Sequence, residues 1–256
     1  MIEVFALVND ERVLENNLRR SPAIASGQIP LHCLRGQKSA TAAFDKILTD
    51  NPKGVFCFVH QDVYLPANWL DNIKKAIRKL EKRDPNWAVL GSYGVQADGI
   101  HVGQVWDSSW NKVFGNSSAD LFPVVSLDEI FLCVRADAGN LFDPNLPDFH
   151  LYGTDVVQNA LAQGLKSYVA NMPVVHNSRR AVSLRGGYER AYRYMRIKWR
   201  KKLSIPTTIV PLSQSLFPLY KKHLQNIRHY GLSSRRPPHS ILNPAIIAAQ
   251  LGWDKN

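Results

Sequence analysis

The sequence predicts an α/β fold whose central sheet is mostly parallel and flanked by helices, followed by a basic, helical C-terminal extension. Short apolar runs alternate with segments of helical period over residues 1–180, as in βαβ units. One run, residues 55–59, is apolar throughout, which is typical of a strand buried on both faces in the middle of a parallel sheet. Most of the positive charge lies in the extension, residues 181–256. The stretch from Arg179 to Arg236 contains fifteen Lys or Arg and a single acid, Glu189.

The composition limits the class of protein. With 256 residues and 45% hydrophobic content, the chain can bury the core of one large domain, or of a domain with an appendage. No apolar run is long enough to span a membrane, and the first nine residues become polar too soon for a signal peptide. Cys33, Cys57 and Cys133 cannot all pair and lack metal-type spacing. We therefore expect free thiols and a cytoplasmic protein.

The first half of the predicted sheet follows from two strand–helix pairs. The first strand covers residues 2–8, and Asn9 or Asp10 caps the helix that follows it. A second strand covers residues 31–34 and precedes a helix over 39–48 with one apolar face. A turn containing proline and glycine then leads into the central strand.

The second half continues the alternation. Residues 69–80 form an amphipathic helix with a charged outer face, and residues 87–93 form a strand. Residues 126–134 are again apolar after two acids, and strands over 166–169 and 172–175 end the predicted sheet.

Residues 94–125 show few regular periods, and a segment this long and irregular in a compact domain is often functional. Its Trp106 and Trp110 would either stack on a sugar ring or fill a local core.

Polar side chains stand where several predicted elements end or begin. His60, Gln61 and Asp62 follow the central strand, and His176 follows the last one. Ligands of open α/β sheets bind outside the carboxyl ends of the strands, where a carboxylate can hold a divalent cation. The alternatives are that Asp62 caps a turn and that each histidine bonds to backbone. Asp155 lies at the start of a predicted helix that ends at Gly164. Asp155 is there either as an N-cap or as an exposed general base.

Four segments, in this order, resemble a family 2 glycosyltransferase of the GT-A fold, and more narrowly a divergent bacterial glycosyltransferase-like family. They are the first strand with its end at Val8-Asn9-Asp10, residues 55–66 with the following Asn68-Trp69-Leu70, residues 126–143, and residues 148–176. The resemblance implies a GT-A catalytic domain over residues 1–180. It also implies a metal-dependent, inverting transfer of a sugar from a nucleotide-sugar donor to a glycan or lipid-linked acceptor.

The resemblance also implies roles for individual residues. Asp62 would bind Mn²⁺ or Mg²⁺, His176 would complete the metal site or contact the diphosphate, and Asp155 would be the general base. Contacts to the donor, first of all a UDP-sugar, or to the acceptor would come from Asn9, Lys38, Ser39, His60, Gln61, Asp128, Glu129 and His150. Asp128 and Glu129 would equally well begin a strand.

Three departures from the family pattern support an alternative function. His60 and Thr154 replace acids, and Arg35-Gly36-Gln37-Lys38 replaces the usual Asp-Asp-Gly-Ser. Because fewer carboxylates would hold the cation, the alternative is a catalytically inactive GT-A-like module that binds nucleotide or glycan.

The basic extension begins with a predicted helix over residues 187–203. Three interpretations of this helix compete. Its aromatic stripe packs on the catalytic domain, or its basic face binds anionic lipid, or that face binds the phosphates of nucleic acid. The stripe consists of Tyr188, Tyr192, Met195 and Trp199. The resemblance favours packing together with contact at the inner face of the membrane. We expect no nucleic-acid partner, because the charge is confined to the extension and no nucleic-acid motif occurs. Residues 205–238 are predicted irregular, and residues 243–251 a short helix.

Overall fold

The computed structural model describes residues 2–116, 120–178, 183–230 and 243–254. The strands are β1 (Ile2–Val8), β2 (Leu31–Arg35), β3 (Val55–Val59), β4 (Val63–Tyr64), β5 (Trp87–Gly91), β6 (Tyr93–Val95), β7 (His101–Gly103), β8 (Val105–Asp107), β9 (Lys112–Phe114), β10 (Phe122–Val124), β11 (Ser126–Leu127), β12 (Phe131–Arg135), β13 (Lys166–Val169) and β14 (Val174–His176). The helices are α1 (Glu11–Asn16), α2 (Pro22–Ala25), α3 (Ala40–Asp50), α4 (Trp69–Arg83), α5 (Tyr152–Ala162), α6 (Gly187–Lys198), α7 (Phe217–Tyr230) and α8 (Pro244–Gln250).

The central sheet confirms the predicted mixed α/β architecture. Its strand order is β10-β13-β5-β12-β3-β1-β2. Five of the seven strands run in one direction, while β10 and β12 run in the opposite direction. The carboxyl ends of β1, β2 and β3 therefore meet at one edge of the sheet.

Strand β3 is buried on both faces, as its sequence predicts. Phe56 and Phe58 belong to one hydrophobic cluster, while Cys57 and Val59 belong to the cluster on the other side. Such alternation between two cores requires apolar residues at every position of the strand. Cys57 also faces Cys133 of β12 in register, and both are buried free thiols; Cys33 is free as well and partly exposed.

Helix α5 begins at Tyr152, two to three residues before the start predicted at Thr154 or Asp155. The N-cap residue, Leu151, adopts a left-handed backbone conformation, and its side chain makes no capping hydrogen bond. The carboxylate of Glu129 instead interacts with the first backbone N–H groups of the helix. A cap that comes from a distant strand leaves no local signal, so the sequence pattern misplaces this helix start.

Residues 94–125 are more regular than predicted. They contribute short strands to two small sheets, one ordered β11-β6-β7 and the other β4-β14-β8-β9. Strands of two or three residues are too short to show a period of two in the sequence. The second small sheet joins β4, which follows the central strand, to β14, which ends in His176.

The C-terminal helices pack against the rest of the chain. The predicted aromatic stripe of α6 is buried in the same cluster as Val156 and Val157 of α5, which supports the interpretation that the stripe packs on the domain. The irregular stretch predicted over residues 205–238 is wrong in part, since it contains α7. Pro218 lies in the first turn of α7, where proline is tolerated, and Leu219 anchors the helix in the core. The predicted domain boundary after residue 180 lies outside the described residues.

Helix α8 confirms the predicted terminal helix. Beyond it, Trp253 packs with Trp106, Tyr64 and Val175, and the Asp254 carboxylate accepts a bond from Ala67 N at 2.7 Å. Trp106 is thus a core residue. None of the helices in the described ranges is long and apolar enough to cross a membrane.

Candidate functional site

Three side chains at the sheet edge could hold a metal ion. His60 and Asp62 follow β3, His176 ends β14, and one possible ligand atom of each lies within 4.8 Å of the others. His176 Nε2 is 3.5 Å and His60 Nδ1 is 3.9 Å from Asp62 Oδ1. The pairing of β14 with β4 brings His176 to this place, since His176 lies opposite Val63 in register. We call these three residues the metal centre.

The second ring nitrogen of each histidine is already bonded. His176 Nδ1 lies 2.9 Å from Asp107 Oδ2, and Asp107 in turn accepts from Ser109 N at 2.7 Å. His60 Nε2 lies 2.8 Å from the Tyr152 hydroxyl, which donates to the Glu129 carbonyl oxygen at 3.2 Å. When that hydroxyl proton is used in this way, His60 donates from Nε2 and keeps the lone pair on Nδ1 for a metal ion. Metal-binding histidines in proteins are oriented by such outer partners.

The charges of this site favour a cation. Although burial opposes protonation, the carboxylates of Asp62 and Asp107 raise the pKa of His176 well above its usual value. Burial lowers the pKa of His60, despite the nearby Asp62. Burial would raise the pKa of Asp107, but the interactions of its carboxylate with His176, Ser109 and Ser178 together outweigh this and lower that pKa. The carboxylates of Asp62 and Asp107 therefore share the imidazolium of His176. A divalent ion can take the place of the proton on His176 Nε2.

A cavity of about 450 Å³ opens beside the metal centre at the carboxyl ends of β1, β2 and β3. Its lining contains five of the predicted site residues, Asn9, His60, Gln61, Asp62 and His150, together with Leu7, Val8, Leu34, Gly36, Gln37, Phe149 and Tyr152. Gln61 ties the first strand to the third, because its Oε1 accepts from Asn9 N at 3.0 Å and from Asp10 N at 3.2 Å.

Four other predicted contact residues lie outside this lining. Ser39 is buried and caps α3 by accepting from Ala42 N at 3.3 Å, while Lys38 is exposed. Asp128 accepts from Ile130 N at 3.3 Å, and Glu129 interacts with the start of α5. Burial, with Asp128 as the next cause, raises the pKa of Glu129 from 4.5 to about 8. Their contacts to donor or acceptor stay predictions.

Asp155 is covered by α6. It is only 1% exposed, and its carboxylate accepts from Lys198 Nζ and Trp199 Nε1, both at 2.8 Å, and from Asn159 Nδ2 at 3.1 Å. Burial raises the pKa of Asp155, against the opposing effect of Lys198. These contacts give Asp155 a structural role, because they bind α5 to the end of α6. Its role as general base stays a prediction.

The sequence patterns missed Asp107 and Tyr152, which orient the two histidines. Asp107 ends a strand of three residues, and Tyr152 lies at an unpredicted helix start. Neither position carries a local signal that distinguishes it from an ordinary surface or core residue.

No protein-family model matches the chain. A curated relative, "ATP synthase subunits region ORF 6" of Fuscovulum blasticum, is 31% identical over 134 residues, which are 49% of this chain and 51% of the relative. The chain thus matches about half the length of that relative, whose name states no activity.

Three solved structures are similar to parts of the chain. The mannosyltransferase PcManGT from Pyrobaculum calidifontis, in complex with GDP-Man and Mn²⁺, has a TM-score of 0.46 at 10% identity, over 98% of this chain and 79% of that one. TarS residues 1–349 of S. aureus has a TM-score of 0.45 at 11% identity, over 91% and 73%. The inositol-1-phosphate CTP transferase of T. maritima has a TM-score of 0.35 at 9% identity, over 68% and 88%. Since these scores lie below 0.5, they do not establish a shared fold.

Proposed function

We propose that the protein is a metal-dependent glycosyltransferase that moves a sugar from a nucleotide-sugar donor to a glycan or lipid-linked acceptor. The observation that carries this proposal is the metal centre at the rim of a cavity formed by the carboxyl ends of three parallel strands. Ligands of open α/β sheets bind in this location. The resemblance to GT-A glycosyltransferases identifies the same residues, Asp62 and His176, from the sequence.

The side chains of the metal centre fit Mn²⁺ better than Mg²⁺. Two imidazole nitrogens and one carboxylate are available, while Mg²⁺ prefers oxygen ligands alone. When bound, the ion would neutralise the charge that develops on the leaving diphosphate. Asp62, His60 and His176 would hold it. The cavity volume suits a nucleoside diphosphate, with Asn9 and Gln61 as polar contacts and UDP as the first candidate.

Two carboxylates compete for the role of general base in an inverting transfer. The resemblance assigns it to Asp155, which would need α6 to uncover it. Glu129 is the second candidate, because burial raises its pKa to about 8, and a pKa in this range suits a base that works near neutral pH. The alternative for the whole chain is a catalytically inactive module that binds nucleotide or glycan, which the histidine at position 60 supports.

The test is the thermal stability of the full chain with UDP, GDP, CDP or dTDP, in Mn²⁺ or in EDTA. A ligand at 100 times its Kd stabilises the folded state by about 2.7 kcal/mol, which raises Tm by roughly 5–10 °C for a chain of this size. We expect one nucleotide to raise Tm in Mn²⁺ and to have little effect in EDTA. The proposal fails if no nucleotide raises Tm under either condition. Nucleotide binding without any cleavage of the matching sugar nucleotide would support the inactive module.

A lipid-linked acceptor requires access to a membrane, and one face of α7 suits an anionic lipid surface. Phe217 and Leu224 are 69% and 64% exposed, and Lys221 and Arg228 lie on the same face at helical spacing. Apolar side chains flanked by cations are typical of helices that lie in a membrane interface. We therefore include peripheral contact with the cytoplasmic membrane surface in the proposal.

Sedimentation with vesicles tests this contact. We expect the protein to bind vesicles that contain phosphatidylglycerol and not vesicles of phosphatidylcholine alone, and Phe217→Ser with Leu224→Ser to weaken binding at least 10-fold. Ile100→Ser is the control, because it removes an exposed apolar residue, 55% exposed, outside α7. Equal binding by the double variant and the wild type would exclude α7 as the contact.

A further inference from the structure

A second cavity, of about 520 Å³, lies between the turn after β8 and the outer side of α7. Its lining consists of Trp110, Lys222, Gln225, Asn226, Arg228 and His229, which we call the Trp110 cleft. Trp110 is 48% exposed, and none of the six side chains is acidic. An aromatic surface, two cations and two amides thus line one cavity, although the cations and amides are far from Trp110 in the sequence.

The Trp110 cleft is connected to the metal centre by a short and well-bonded turn. Trp110 N donates to Asp107 O at 3.3 Å, and the side chain of Asp107 orients His176. The turn is also tied to the strand end of His176, because Ser108 N donates to His176 O at 3.0 Å. Trp110 is the third residue after Asp107, so their Cα atoms are at most about 10 Å apart. A molecule in the cleft would therefore lie within a few sugar units of the metal centre.

The chemistry of the cleft matches a sugar that carries negative charge. An indole surface offers an apolar face to a sugar ring, and the Trp110 ring is supported edge-on by Phe114, with 6.2 Å between the ring centroids. The Arg228 guanidinium can bind a phosphate or carboxylate in a bidentate manner, and Lys222 adds a second cation. The amides of Gln225 and Asn226 can bond to hydroxyl groups.

A single-stranded nucleic acid also uses stacking and cations, but it needs a groove that follows several nucleotides. The Trp110 cleft has one exposed tryptophan and a volume suited to one or two sugar residues with a charged group. These features favour the saccharide over the nucleic acid.

We propose that the Trp110 cleft binds the acceptor through a sugar residue that bears a phosphate or a carboxylate. The identification of this saccharide as the acceptor rests on the proposed glycosyltransferase function. The binding itself needs neither donor nor metal, so it can be measured separately from that function.

The experiment is isothermal titration of the full chain in EDTA with three probes: glucose 1-phosphate, trigalacturonic acid and the neutral maltotriose. We expect at least one charged probe to bind at least 10-fold more tightly than maltotriose. Trp110→Ala, and Lys222→Gln combined with Arg228→Gln, should each weaken that binding at least 10-fold, while Trp110→Tyr should keep most of it. Lys74→Gln, an exposed lysine of α4, should leave it unchanged.

Two results would overturn the proposal. One is binding of the charged probes that does not depend on Trp110 or the two cations. The other is an oligouridylate that binds more tightly than every charged saccharide in a Trp110-dependent manner. Stabilisation by a nucleotide in Mn²⁺ would remain in either case, so a failure here is distinct from a failure of the glycosyltransferase proposal.

Discussion

The Asp62→Ala variant is expected to lose the Mn²⁺-dependent stabilisation by nucleoside diphosphates, with a fall in Mn²⁺ affinity of at least 100-fold. Asp62 is the carboxylate that both histidines of the metal centre face, at 3.5 and 3.9 Å. Its removal leaves two imidazoles and no negative charge to balance the cation. The measurement is Mn²⁺ titration by calorimetry, followed by Tm with nucleotide and Mn²⁺.

Two further variants make this result specific. Asp107→Asn keeps all three metal ligands but weakens the orientation of His176, so we expect a smaller loss of about 10–100-fold in Mn²⁺ affinity. Asp71→Ala, an exposed acid of α4, should bind Mn²⁺ like the wild type. If Asp62→Ala and Asp71→Ala bound Mn²⁺ equally well, the metal centre would have to lie elsewhere.

Asp155→Ala is expected to lower the free energy of unfolding by about 3–5 kcal/mol, because it leaves buried donors without their acceptor. The Trp199 indole N–H would lose its bond, and Lys198 would keep only Asp143, whose Oδ2 lies 2.7 Å from its Nζ. Urea denaturation measures the change. Glu15→Ala removes a surface ion pair with Arg19 and is the control, with an expected cost of at most about 1 kcal/mol.

The same position separates the two candidates for the base. A loss below 1 kcal/mol in Asp155→Ala would mean that its contacts with α6 contribute little to the folded state, and it would favour Asp155 as the base. If Asp155→Asn is destabilised but retains sugar transfer in the fraction that folds, Asp155 has a structural role and is not the base. Glu129→Gln should then be the variant that loses transfer while it still binds nucleotide.

Much of the fold could be predicted because its signals are local. Strand β3 is apolar at every position, and the structure places alternate side chains in two cores. The cap of α1 at Asp10 and that of α3 at Ser39 are likewise polar residues directly before a helical period. The start of α5 could not be found in this way, since Glu129, which stabilises it, lies 23 residues before Tyr152 in the chain.

In the metal centre, too, some residues carry a local sequence signal and others are placed only by contacts between distant segments. Asp62 and His176 could be predicted as polar residues that follow apolar strands, and His60 as part of the same strand end. Asp107 could not, because only the pairing of β8 with β14 brings its carboxylate beside His176. The position of α7 opposite Trp110 also depends on contacts between distant segments, which no pattern along the chain records.

The three thiols differ in a way that is useful for spectroscopy. Cys57 and Cys133 are fully buried in the centre of the sheet, and burial raises the pKa of Cys57 well above its usual value, so neither should react with a maleimide in the folded protein. Cys33 is partly exposed at the outer strand of the sheet and directly precedes Leu34, which lines the cavity of the metal centre. The natural chain therefore offers a single labelling position from which a fluorophore can follow the arrival of a nucleotide in real time.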